Sequence, residues 1–195
     1  SYCRMKADGT IVDVRITGAH YNFLNYTRME QLDDSTIKAG DKAAVAEKTV
    51  DFSKFIDAQY WTHKVMEFAE NNGFHLSIDK TRRGGFSYIM AADSANKINL
   101  KPKKVAIHVA INSDYLTVTG GLTDFTIKNL LFYETYTPFI RGVYSTNNEN
   151  FKLGFRDKTG KESPQSWSST LFSVSAHNNP NCAIGKDAMK VKTEE

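Results

Sequence analysis

Cysteine, proline and long apolar runs are scarce in this 195-residue chain, and each shortage removes a class of protein. Two cysteines, Cys3 and Cys182, cannot build the framework of a disulfide-stapled miniprotein or the paired thiols of a zinc module. Four prolines and 12 glycines exclude collagen-like and proline-rich low-complexity architectures. No stretch approaches the roughly 18 apolar residues that cross a bilayer, and nothing at the start reads as a charged-then-apolar leader. Neither sign of charge dominates: 25 basic against 22 acidic residues leave +3, too even to announce a polyanionic partner. Any basic surface is therefore local.

Aromatics are what the chain has in quantity. With 12 Phe, 9 Tyr and a 41% hydrophobic share, global disorder is excluded. A chain of this length buries roughly 70% of its unfolded surface and needs no staple. The expectation is one domain over residues 1–195, with an irregular connection at about 18–50 and a frayed, charged tail after about 184. Three features point to an extracellular or surface-exposed location. The chain begins at Ser1 without Met, as a processed product does, and Asn25-Tyr26-Thr27 is a glycosylation sequon. A Cys3–Cys182 bridge would close a loop of roughly 180 residues, worth up to about 5 kcal/mol in the chain-entropy model. Geometry decides between that bridge and two free thiols.

Periodicity assigns the elements. Val12, Val14 and Ile16 alternate with Asp13 and Arg15 as in a half-buried strand after the Asp8-Gly9 turn. A short helix is expected near Ala43 to Glu47. The clearest element is a helix from a cap at Asp51 or Ser53 to about Glu70, stopped by Asn71-Asn72-Gly73. Phe52, Phe55, Ile56, Tyr60 and Met66 share one sector, and Trp61, Val65, Phe68 and Ala69 another. Such a wide apolar circumference predicts burial of Phe55, Ile56, Trp61, Val65 and Phe68. Phe74, Leu76 and Ile78, a polar turn, then Phe86, Tyr88 and Met90 read as a hairpin. Val105 to Ile111 reads as a central strand, apolar on both faces. Further strands are expected at Tyr115 to Thr119, Phe125 to Tyr133, Phe139 to Ser145, Phe151 to Arg156 and Trp167 to Ala176. Strands so closely spaced indicate antiparallel meanders. The predicted class is α+β: predominantly antiparallel β, meander- or sandwich-like, packed against one long central helix.

Candidate chemistry is thin. The histidines His20, His63, His75, His108 and His177 show no metal-ligand spacing, and no cofactor motif is present, so neither metal nor cofactor is expected. His108, among Ala106, Ala110 and β-branched neighbours, is the candidate acid–base because burial would move its pKa, and a hydrogen-bonded core histidine is the competing reading. His63 falls in the apolar arc of the helix and takes the same core reading. Ser168, Ser169, Thr170, Ser173 and Ser175 alternate as a solvated strand face and lack a nucleophile elbow. Lys80, Arg82 and Arg83 crown the expected hairpin, and Lys101, Lys103 and Lys104 flank Pro102. Beside Phe86 and Tyr88 such tips suit phosphates, nucleic acid or acidic glycans.

Three function classes follow. The first is a non-enzymatic binding or structural module contacting a protein partner, favoured by the Tyr, Asn, Ser and Thr of the second half. The second is a hydrolase or transferase with His108 as base and a carboxylate such as Asp114 nearby. The third is a polyanion or nucleic-acid binder through Arg82, Arg83, Lys103 and Lys104.

Overall fold

The structure is a computed structural model, and it describes residues 2–6, 8–33, 47–79, 85–147, 150–177, 181–182 and 190–194. The chain divides into two compact units, Ser1–Asp79 and Lys80–Glu195.

The first unit contains β1 (Tyr2–Met5) and β2 (Ile11–Val14), an antiparallel pair turned at Gly9, where φ is 82°. Helix α1 (Gly18–Tyr26) follows, capped by the Thr17 hydroxyl, which accepts from the His20 N–H at 3.0 Å. Strands β3 (Arg28–Asp33) and β4 (Glu47–Phe52) pair antiparallel. The irregular connection expected at 18–50 is thus organised at both ends, and the expected helix at 43–47 lies, apart from Glu47 in β4, outside the described residues.

Helix α2 (Asp57–Asn72) starts later than its sequence signals, with Ile56 rather than Asp51 or Ser53 at the cap position. It stops where expected, at Gly73 in the left-handed region, with the Gly73 and Phe74 N–H groups returned to the last turn. Its orientation overturns the expected burial. Trp61 is 64% exposed, Phe68 60% and Val65 46%, with Ile56 also exposed, while Gln59, His63, Met66 and Ala69 face inward. The inward arc thus mixes two polar with two apolar side chains, and α1 offers its histidine aromatic partners. His20 stacks on His63 at 4.8 Å between centroids, and Phe23 lies 5.4 Å from the same ring.

The second unit is built on a five-stranded sheet, ordered β6-β7-β8-β5-β9. Helix α3 (Phe86–Leu100) occupies the return arm of the expected hairpin, and its outgoing arm, Phe74 to Ile78, is not a strand. Strand β5 (Val105–Ala110) is central as expected, followed by a short α4 (Asp114–Thr117) and by α5 (Leu122–Tyr136). Both helices replace expected strands, at Tyr115 to Thr119 and Phe125 to Tyr133. In α5 the helical period is carried by Leu122, Thr126, Leu130 and Tyr133, with a threonine standing in an apolar position. Strands β6 (Val143–Asn147), β7 (Asn150–Leu153) and β8 (Ser169–Ser175) fall near their predicted places.

The tail expected to fray contains β9 (Lys190–Glu194), which pairs parallel to β5. Strand β5 is parallel to β8 as well, while β6, β7 and β8 run antiparallel. The chain is therefore mixed α and β. It is neither predominantly antiparallel β nor organised on one central helix, since α2, α3 and α5 have 16, 15 and 15 residues. The core sits where α3 and α5 cover one face of β5, with Ile89, Ala91, Ala95, Ala110, Leu122 and Leu130 essentially inaccessible. Alanines on α3 allow its backbone to approach closely.

Candidate functional site

His108 stands at the middle of β5, in register with Ser173 of β8 on one side and Lys192 of β9 on the other. Paired positions of neighbouring strands point to the same face, so the three side chains form one row beneath α3 and α5. The His108 ring is fully buried. Its Nδ1 lies 3.1 Å from the Thr123 hydroxyl of α5, and its Nε2 lies 2.9 Å from the Ser94 hydroxyl of α3. Thr123 in turn meets the Ser173 hydroxyl at 2.6 Å. Burial, seconded by the charge of Lys192, pushes the His108 pKa down to about 3, so the ring is neutral at physiological pH.

This geometry withdraws His108 from acid–base work: both nitrogens are committed to protein hydroxyls and neither meets solvent. Asp114, its expected carboxylate, lies on the surface at the start of α4, accepting from Asn112 Nδ2 at 3.3 Å. Beside the row, Lys192 Nζ donates to Asp93 Oδ2 at 2.7 Å and to the Met90 carbonyl at 2.8 Å, an ion pair almost wholly out of water.

A half-open recess of about 220 Å³ lies at the carboxyl ends of β5 and β8, lined by Ser113, Leu116, Thr117, Ser173, Val174 and Ser175. Such strand ends are where sheets with parallel strands bind ligands. Among the described residues the lining side chains carry no imidazole, thiol or charge. Three of the hydroxyls already donate within the protein, Ser175 to the Ile111 carbonyl, Thr117 to the Ser113 carbonyl and Ser113 to Asn112 Oδ1. The recess offers hydroxyl oxygens and an apolar floor. The serine-rich strand is also less solvated than its alternation suggests: Ser169 and Thr170 are buried, and Ser173 and Ser175 half-buried.

In the first unit His20 and His63 are both buried, and the His20 ring nitrogens have no hydrogen-bond partner. Burial, with a smaller contribution from the Lys64 charge, lowers the His20 pKa to about 4. Among the described residues no group of three His, Cys, Asp or Glu converges to hold a metal, and no helix is long and apolar enough to cross a membrane.

Of the basic tips, Arg82 and Arg83 lie outside the described residues. Lys103 is exposed on the turn between α3 and β5, held at φ 56° by its N–H bond to the Trp167 carbonyl, and Lys104 is half-buried beside Ser169. Cys182 is a half-buried free thiol rather than one half of a bridge to Cys3. Asn25 of the sequon is exposed at the end of α1, while Thr27 is buried.

Sequence reasoning missed Asp93, Ser94, Thr123 and Lys192 altogether. The available signal was the alternation of Val191 and Thr193 about Lys192, which marks a strand within the charged tail. Comparison with protein families, with curated proteins and with solved structures finds no match.

Proposed function

We propose that this chain is a non-enzymatic interaction module that docks to a protein surface through the outward face of α2. One observation carries the reading: the helix turns Trp61, Val65 and Phe68 to solvent while burying Gln59 and His63. Burying a large apolar side chain is worth about 1.5–3 kcal/mol, so a helix with both arcs available gains most by turning the apolar one inward. The apolar patch extends beyond the helix through Phe74, whose ring lies 6.1 Å from Phe68 and is itself exposed. Contiguous exposed apolar surface on a helix, spaced i, i+4, i+7, is the pattern by which helices recognise partners. The alternative of a hydrolase or transferase loses its base in the buried His108, and the polyanion reading keeps only Lys103 and Lys104 among the described residues.

The double substitution Trp61→Glu, Phe68→Glu tests this at low protein concentration. An outward docking face tolerates both charges, with a melting temperature within about 2 °C of the parent. Loss of the cooperative transition, or a destabilisation above about 3 kcal/mol, would assign the two rings to the core and overturn the reading.

A further inference from the structure

The charges on the outward arc of α2 identify its occupant; this step rests on the docking role proposed above. Asp57 and Lys64 are both on that side of the helix, seven residues apart, or about 10.5 Å along the axis at 1.5 Å per residue. Asp57 is exposed at the N-terminal end, and Lys64 is half-exposed with its ammonium 5.8 Å from the Tyr60 ring centroid. Between and around them stand Ile56, Trp61 and Val65, all exposed.

This arrangement is self-complementary under one operation. When two copies of α2 cross antiparallel on a two-fold axis passing between Tyr60 and Trp61, Asp57 of each copy meets Lys64 of the other. The two Trp61 rings meet at the axis, and the Val65 side chains of both copies flank them along one edge of the contact. A parallel pairing would instead set Asp57 against Asp57 and Lys64 against Lys64. The charge order therefore selects the antiparallel, isologous arrangement and disfavours the parallel one. An aromatic residue at the centre, apolar contacts beside it and opposite charges at the rim is the anatomy of a protein interface.

We infer that the occupant of the α2 face is a second copy of this chain, joined antiparallel through Trp61 with reciprocal Asp57–Lys64 pairs at the rim. One helix face is a small interface, so the association is expected to be reversible rather than obligate.

Sedimentation velocity of the full chain from ~1 to ~300 µM in ~50 mM salt tests it, a range chosen for a weak small interface. The expected result is a concentration-dependent monomer–dimer equilibrium. Val65→Asp should weaken dimerisation at least about a hundredfold by placing a carboxylate against the apolar Trp61 contact. Asp57→Lys or Lys64→Asp alone should weaken it about threefold to tenfold, because symmetry counts each rim pair twice. The combined Asp57→Lys, Lys64→Asp chain should regain most of the lost affinity, which no unspecific surface effect would do. Circular dichroism of each variant checks the fold, and exposed positions allow it to be kept. A chain monomeric at ~300 µM sinks this inference while leaving the docking reading to its own melting test. A dimer that survives Val65→Asp, or a double swap that fails to recover affinity, likewise overturns the proposed pairing.

Discussion

Lys192 and Asp93 lie 99 positions apart in the chain and 2.7 Å apart in space, with side chains 4% and 2% exposed. The pair ties the last strand of the sheet to the helix above it. The ammonium also donates to the Met90 carbonyl, so its burial is partly offset by a second acceptor.

Breaking this pair from one side should be costly. Asp93→Asn leaves a buried cation without its counter-charge, and Lys192→Met leaves a buried carboxylate. Each is expected to destabilise the second unit by about 3–5 kcal/mol in urea unfolding. Combining Lys192→Met with Asp93→Leu should recover much of the loss, because apolar replacement of both partners removes the desolvation penalty. Additive effects in the double variant would mean that the two groups do not act as a pair.

Acid should weaken both units through their buried histidines. The folded pKa of His108 is about 3 and that of His20 about 4, both below the ordinary 6.5, so the unfolded chain takes up protons that the native chain refuses. The stability held by neutral rings is whole above pH 6.5. It drains as pH falls below that value, toward about 4 for His20 and about 3 for His108, at up to about 1.4 kcal/mol per pH unit for each ring. Denaturant midpoints between pH 7.5 and 5 should decline accordingly, and His108→Gln should flatten the decline of the second unit. Stability that holds steady across this range would contradict the buried placement.

Gly121 should refuse a methyl group. A Cβ there would lie 2.5 Å from the Leu116 carbonyl oxygen and 2.9 Å from that of Tyr115, both backbone atoms that cannot swing away. Gly121 has φ −76°, so the obstacle is space rather than conformation. Gly121→Ala is expected to lower stability by about 1–3 kcal/mol by displacing the start of α5 from α4. An unchanged thermal midpoint would show that the loop yields freely.

Legibility followed locality. Strand β5 was readable because an unbroken apolar run bounded by polar turns has few other homes. The end of α2 was readable because Asn71-Asn72-Gly73 states its own geometry. Helix α3 was not. Its interior holds Asp93, Ser94, Asn96 and Asn99 beside Ile89, Ala92 and Ile98, so the helical period of hydrophobicity is diluted by polar residues, and alternation at Phe86, Tyr88 and Met90 stood out instead. In α5, Thr123 and Thr126 had the same masking effect. Strand β9 was hidden because a lysine is usually read as solvated until its partner is known.

The candidate site shows the same division. His108 was singled out correctly as a buried imidazole among small and β-branched neighbours, yet the hydroxyls that bind it come from Ser94 and Thr123, on helices read as strands.

From its order alone the amino-acid sequence determined the central strand, the stop of α2 at Gly73 and a net charge too balanced to announce a polyanionic partner. These rest on short-range rules of backbone geometry, side-chain alternation and charge counting. Only the tertiary structure decided that His108 is held neutral between two hydroxyls, that Lys192 is buried on Asp93, and that α2 shows Trp61 to solvent. Burial depends on what other segments bring against a surface: α1 supplied aromatic rings for the His63 side of α2, and Trp61, Val65 and Phe68 lie on the outer side.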